Sequence, residues 1–222
     1  MTSPSQLWPP SGLVVRSGDL TLTPVTDEDL PGLVDLVLSG VHDPDAMPFD
    51  VPWTRADPAD LPRQFAQFHW GQRASSTPAD FRLDLAVRER GELVGAQGFH
   101  AKHYAVTRTA ETGSWLAQRH QGRGLGTRMR RAVCTLLLDH LDAAEVTSGA
   151  FLDNPASLGV SRKVGYRHTD TSRVVREGRL ALHAQLRLRP ADLVRGEPVE
   201  VTGVAPLRAF LLGPAQPTGA SA

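Results

Sequence analysis

The chain has 222 residues, 41% of them apolar, and its 24 basic and 24 acidic side chains cancel to a formal charge of zero. That is enough chain for one full globular domain with embellishments, and a balanced charge supplies no global field for a phosphate backbone or an anionic lipid surface, so neither nucleic acid nor membrane is an expected partner. The lone cysteine, Cys134, excludes an internal disulfide framework and a cysteine zinc cluster, no metal is expected, and without a signal sequence or a long apolar run the expected location is the cytoplasm.

Residues 1–12 and 213–222 are rich in proline, serine and glycine and are expected to be flexible. Leu20–Leu22 reads as a short strand. Thr26 then caps a helix with Asp27, Glu28 and Asp29 in its first turn, and Leu30, Leu33, Val34, Val37 and Leu38 recur along it with helical spacing. Between residues 41 and 63, prolines and aspartates interrupt any regular element while Met47, Phe49, Val51 and Trp53 alternate among them, which predicts a packed functional loop on the substrate side. Gln64–Trp70 looks helical. Leu83–Val87 alternates as a strand, Arg90-Gly91 turns the chain, and Leu93–Phe99 returns as the hairpin partner.

Ala110–Ala117 reads as a further strand, and a glycine-rich turn leads from it into an amphipathic helix over Thr127–Leu141. Val146–Leu152 is a strand, Pro155–Val164 a short helix that Gly165 can end, and Arg173–Val175 with Leu180–Leu188 the closing strands. This order predicts an α/β (α+β) fold with one mixed sheet flanked by helices, not a doubly wound one. Val199–Val204 reads as a short strand in a C-terminal extension over 191–212. With the 41–63 loop it presents more apolar side chains than one core obviously uses, so a homodimer or higher homo-oligomer is expected.

The sharpest chemical signal is Gln121-Gly122-Arg123-Gly124-Leu125-Gly126-Thr127, between a strand and a helix. Alternate glycines let the backbone turn its N–H groups inward and the helix start adds partial positive charge, which together suit a phosphate. Between Glu111 and Asp139 lie Arg119, Arg123, Arg128, Arg130 and Arg131 and no acid. The glycine spacing fits neither a dinucleotide fingerprint nor a P-loop.

It does resemble Q/R-x-x-G-x-G/A, the pyrophosphate motif of the GNAT superfamily of coenzyme A dependent N-acyltransferases. Ala110–Leu116 is similar to the fourth strand of the branch that acetylates ribosomal-protein N-termini. Asp153-Asn154-Pro155-Ala156-Ser157 followed by Arg162-Lys163-Val164-Gly165-Tyr166 is similar to that branch's D/E-N-x-x-S…K-x-G-[FY] signature. Val41–Phe49 and Val51–Arg55 resemble an actinobacterial subgroup that includes succinyl-CoA-using enzymes.

The resemblance implies a GNAT domain over 13–190 whose central sheet splays between its fourth and fifth strands, and acetyl-CoA or succinyl-CoA as acyl donor. It implies that backbone N–H groups from Gln121 through Gly122, Arg123, Gly124, Leu125, Gly126 and Thr127 bind the pyrophosphate. Trp115, Leu116 and Ala117 would pair with pantetheine and Asn154 would bond the same arm. Ser157 would meet the thiol or protonate it, in preference to Tyr166 on the far side of a helix. The resemblance also implies an amine acceptor, either a peptide N-terminus or a small molecule, without choosing between them. Glu111 is the base candidate, through a water, or else a strand-end carboxylate paired with arginine; His100 and His103 are the substitutes. Phe49 and Trp53 either line an acceptor pocket or anchor the loop. Arg55 either clamps a succinyl carboxylate or pairs with Asp57 or Asp60. Cys134 reads as a small buried side chain. A non-catalytic CoA sensor on the same fold is the competing function.

Overall fold

The computed structural model describes residues 1–213. Nine strands form one sheet: β1 (Val14–Ser17), β2 (Leu20–Pro24), β3 (Asp80–Glu89), β4 (Glu92–Lys102), β5 (Thr109–Leu116), β6 (Glu145–Phe151), β7 (Arg167–Arg176), β8 (Arg179–Leu188) and β9 (Glu200–Thr202). The helices are α1 (Pro4–Leu7), α2 (Leu30–Leu38), α3 (Leu61–Ser75), α4 (Tyr104–Thr107), α5 (Leu125–Thr135), α6 (Pro155–Val164) and α7 (Val204–Leu212). The sheet order is β7-β8-β6-β5-β4-β3-β2-β1-β9. It is mixed as expected, because β5 and β6 pair parallel while their neighbours pair antiparallel.

The parallel pair is short. Thr109, Ala110 and Glu111 face Glu145, Val146 and Thr147, and there the ladder ends. These are the strands read as fourth and fifth; β1, which the sequence reading missed, adds one ahead of them.

Each face of the sheet carries its own core. On one side Leu125, Met129, Val133, Leu136 and Leu137 of α5 and the turn after it are buried against Leu85, Val146 and Leu186. The long amphipathic run breaks at Thr135 and continues as a wider π-type turn over Leu136–His140. On the other side Leu33, Val37, Leu61 and Phe65 of α2 and α3 cover Ala86, with Trp53 and Trp115 packed against them. Helix α3 starts at Leu61, three residues before the predicted Gln64, with Pro62 in its first turn where a missing N–H costs nothing.

Two regions depart from expectation. The N-terminal residues read as flexible hold α1, a buried Pro10, and Trp8 stacked 6.1 Å from the Phe81 ring. The C-terminal extension is part of the main core: β9 pairs with β1, and Leu207 and Leu211 of α7 are fully buried. Apart from Gly213, the tail expected to be flexible lies outside the described residues. Among the described residues no helix is long and apolar enough to cross a membrane.

Candidate active site

Where β5 and β6 part, a cleft of about 1300 Å³ opens, lined by β5, β6, the glycine turn, the start of α6 and residues 41–50. Its upper end is the glycine turn. Gly122 and Gly124 have φ of 74° and 81°, in the region that favours glycine, and Gly124 is the N-cap of α5. Gly126 serves packing instead, since a Cβ there would stand 3.3 Å from Val160 of α6. The backbone N–H groups of Gly122 through Gly126 have no partner among the described residues, leaving five donors grouped at a helix start. Gln121 is the brace. Its Nε2 donates to the carbonyls of Leu116 and Val41, both at 2.8 Å, tying the turn to the end of β5 and to the 41–63 loop.

Two of the five arginines that the sequence grouped here are neutralised by acids from distant segments. Arg123 pairs with Glu89 at 2.9 Å, and Arg128 pairs with Asp19, Glu89 and Glu197. Arg119 donates to Ser39 Oγ and Arg131 to the Lys163 carbonyl. Arg130 differs. It is 4% exposed and donates to neutral oxygens only, at 3.3 Å to Gln97 Oε1, 3.0 Å to Ser148 Oγ and 2.8 Å to Ser114 Oγ. It spans the mouth of the splay on the cleft wall, with no carboxylate in ion-pair range among the described residues.

At the start of α6, Asn154 accepts from the Ser157 N–H at 3.0 Å, so its carbonyl oxygen caps the helix and its amide NH2 remains for a ligand. Asn154 and Ser157 both line the cleft, as do Trp115, Leu116, Gln121, Gly122, Gly124, Gly126 and Thr127. Arg123, Leu125 and Ala117 do not. Ala117 and Leu125 are buried in the core and Arg123 points to Glu89, so Arg123 and Leu125 offer only backbone N–H groups, while Ala117, expected to pair with a ligand arm, already donates its N–H to the Val94 carbonyl and accepts from the His120 N–H.

Tyr166 is buried on the α5 side, its hydroxyl bonded to Thr112 Oγ1 at 2.8 Å and 3.3 Å from Cys134 Sγ. Burial raises its pKa well above the usual phenol value and pushes the Cys134 thiol up to about 11, so neither is a proton donor or nucleophile for the cleft.

Glu111 stands apart from the cleft lining. It is exposed at the last β5–β6 pair, on the face covered by α2 and α3, directly opposite His100 of β4. The arginine partner considered for it is absent among the described residues. His100 is held by Asp80 at 2.7 Å, and His103 sits in a left-handed turn at φ 48°.

Phe49 and Trp53 divide between the two roles considered for them. Phe49 lines the cleft and Trp53 anchors the loop, its ring 6.0 Å from Trp115 and 6.1 Å from Phe65. Arg55 takes neither expected partner. Its Nε meets Glu177 of the β7–β8 turn at 3.2 Å and its Nη1 donates to the Pro44 carbonyl, which pins the loop to the hairpin and holds the guanidinium off the cleft wall.

The sequence reading missed two further groups on the α2/α3 face. Asp84 of β3 lies beneath α3, with His69 Nδ1 at 3.7 Å and Gln72 beside it. His183 of β8 lies 3.3 Å from Asp50 of the loop. His69 was visible as the third member of an apolar stripe with Leu61 and Phe65 at helical spacing. Nothing in the strand alternation marked Asp84 as other than a solvent-side residue.

The GNAT acetyltransferase domain family matches residues 19–167 of this chain. Among solved structures the fold is similar to RimJ from Mycobacterium smegmatis in complex with CoA-disulfide, at 18% identity over 93% of this chain and 96% of that one, TM-score 0.71. It is also similar to RimL, a ribosomal-protein alpha-N-acetyltransferase in complex with coenzyme A, at 18% identity over 79% and 97%, TM-score 0.64. A chimera of the spermidine N-acetyltransferase SpeG from Vibrio cholerae and hSSAT matches at 14% identity over 78% and 97%, TM-score 0.63.

Proposed function

The chain belongs to the GNAT acetyltransferase family, and from that premise we propose that it transfers an acetyl group from acetyl-CoA to a primary amine by direct attack, the acceptor being a peptide N-terminus or a small molecule. The observation that carries this reading is the cradle of unpartnered N–H groups at the head of a cleft that runs into the splay between β5 and β6. Pyrophosphate suits the cradle and an extended arm suits the free edges of the two strands. Similar solved structures hold coenzyme A or its disulfide, and they include a ribosomal-protein alpha-N-acetyltransferase and a spermidine N-acetyltransferase chimera.

In this mechanism the acceptor ammonium loses a proton to Glu111 through a water, and the neutral nitrogen attacks the thioester carbon. The new C–N bond forms, the nitrogen gives up its second proton to water, the C–S bond breaks, and the leaving thiolate takes a proton from the Ser157 hydroxyl, which recovers one from that water. Titration calorimetry with acetyl-CoA, followed by thiol release with a panel of primary amines, tests the proposal. Release that depends on the amine supports it; binding without release identifies a non-catalytic CoA sensor instead.

Arg130 favours a second reading for the donor. A buried guanidinium without a carboxylate is costly, and the terminal carboxylate of a succinyl donor would complete it. Arg55, engaged by Glu177, serves this role poorly. Acetyl-CoA is the expected faster donor. Succinyl transfer that outpaces acetyl transfer, with the preference lost in Arg130→Met, would instead establish the succinyltransferase.

We also propose self-association, on grounds different from those first considered. Val41 and Met47 of the loop are buried, Phe49 and Trp53 pack on the α2/α3 core, and Val199, Val201 and Val204 pack on the main core, so these residues are used within the chain. Val51 of the loop stays exposed, as do Phe68 and Trp70 of α3, and the exposed apolar side chains grouped on one element are Val175, Leu180 and Leu182 of the β7–β8 hairpin. Sedimentation at micromolar concentration is expected to give a dimer or larger, and a monomer would end the proposal.

A further inference from the structure

On the α2/α3 face of the sheet one row of residues carries almost no side chains. Asp84, Gly98 and Gly113 stand in register across β3, β4 and β5. Because Glu111 faces Thr147 as the last parallel pair, Gly149 of β6 is the position opposite Gly113 across the splay. The result is a shallow trench whose open floor is Gly113, with Gly98 buried beneath Asp84 on one side and Gly149 beneath His183 on the other. A Cβ on Gly98 would run into the Asp84 carboxylate, and a Cβ on Gly149 would run into the His183 ring. A Cβ on Gly113, between them, would meet nothing within 4 Å.

The flanking rows are Arg82, His100, Glu111 and Thr147 on one side and Ala86, Ala96 and Trp115 on the other. Same-face rows four residues apart along a strand are separated by roughly 13 Å, which, less their side chains, leaves the width of an alkyl or peptide chain. The trench therefore has a carboxylate at one end, open space over Gly113 at the gap where β5 and β6 diverge, and Glu111 on the adjoining row.

We propose that this trench is the acceptor site, and that Asp84 is the specificity-determining residue that receives the acceptor's amino group as an ammonium ion over Gly113. The substrate class is a cationic primary amine with little bulk beside the nitrogen. Asp84 docks the charge and Glu111, one row away and open to solvent, carries the proton off. The inference rests on the amine-acceptor reading above.

The surroundings of Asp84 suit a charge-docking role. Its side chain keeps 26% of its surface, yet burial raises its pKa to about 6. The groups facing it are His69 and Gln72 from α3, Arg82 from its own strand and the bare Gly98 of β4. Burial, assisted by repulsion from Arg73, lowers His69 to about 4, so this imidazole is neutral through the working range and does not compete for the carboxylate. Asp84 is then ionised above about pH 6 and neutral below it. Acceptor affinity should fall as the pH drops through that value, while affinity for acetyl-CoA, which binds in the cleft beyond the splay, should not.

The test is steady-state kinetics with ethanolamine and a seryl tripeptide as acceptors, for wild type, Asp84→Asn and Gly113→Val. Asp84→Asn keeps the side-chain shape and is expected to raise the acceptor KM about tenfold at pH 7.5, to change kcat far less, and to abolish the rise in KM below pH 6. Gly113→Val fills open space without disturbing a neighbour, and is expected to cut kcat/KM for both acceptors with the acetyl-CoA Kd unchanged. A purely structural role for Asp84 would not move the pH profile of KM. Wild-type KM and pH dependence in Asp84→Asn, with wild-type turnover in Gly113→Val, would overturn the acceptor site while leaving the amine reading intact. Failure of the wild type to acylate any amine would overturn the reading itself and this inference with it.

Discussion

Glu111→Gln is expected to lower acyl transfer to a primary amine about a hundredfold or more while acetyl-CoA affinity stays at its wild-type value. The reason for the split is positional. Glu111 does not line the cleft; it stands on the α2/α3 face at the last residue pair before β5 and β6 separate. Its carboxylate has no ion-pair partner among the described residues, so glutamine removes a proton acceptor and breaks no salt bridge. The deficit should be largest near neutral pH, where the acceptor is an ammonium ion, and should shrink as rising pH deprotonates the amine without help. Thiol release between pH 7 and about 9.5 reads this directly. Wild-type turnover in the variant would pass the role to His100, His103 or an ordered water. His100 is the weaker of the two imidazoles for it, because Asp80 already holds one ring nitrogen.

Gly124→Glu is expected to weaken acetyl-CoA binding by at least tenfold, about 1.4 kcal/mol. Two costs combine. The residue stands at φ 81°, where a side chain is unfavourable by about 1 kcal/mol, so the turn relaxes and its N–H groups lose their common direction. The new carboxylate then sits at the N-terminus of α5 and competes for the donors that the pyrophosphate would use. A Cβ at this position has open space, so the fold should survive, and Gly124→Ala separates backbone strain from charge. Calorimetry on a variant with wild-type circular dichroism is the measurement, and an unchanged Kd would remove the cradle from the binding site.

Local elements were readable where a single periodicity or punctuation mark dominates. The stripe through Leu30, Leu33, Val34 and Val37 placed α2, and Pro155 with Gly165 bracketed α6 at both its ends. Failures occurred where partners are remote. Val14–Ser17 is too short to show alternation, and it is a strand because β2 and β9 flank it. The N-terminal residues looked flexible by composition, but Trp8 finds Phe81 and orders them. The run after Thr127 kept its helical pattern through Leu141, yet the last turn widens to a π-type turn before β6.

The site divides in the same way. The glycine turn over Gln121–Thr127 could be read from the sequence because it is local: its glycines and its helix start are consecutive, and it leaves Gly122 through Gly126 with unpartnered N–H groups, while those of Gln121 and Thr127 are bonded within the turn. Charge could not be read this way. The arginines around the cradle looked like an uncompensated field, whereas Glu89, Asp19 and Glu197, far off in the chain, cancel Arg123 and Arg128 and leave Arg130 as the buried exception. Nor could the trench, since Asp84, Gly98, Gly113 and Gly149 become neighbours only through strand register. The sequence by itself determined the family, the mixed sheet and the cradle, because these follow from short-range backbone geometry and motif spacing. Only the tertiary structure decided which charges remain unpaired and which faces stay open, because Coulomb partners and covering helices are matters of distance in space, and chain order does not encode that distance.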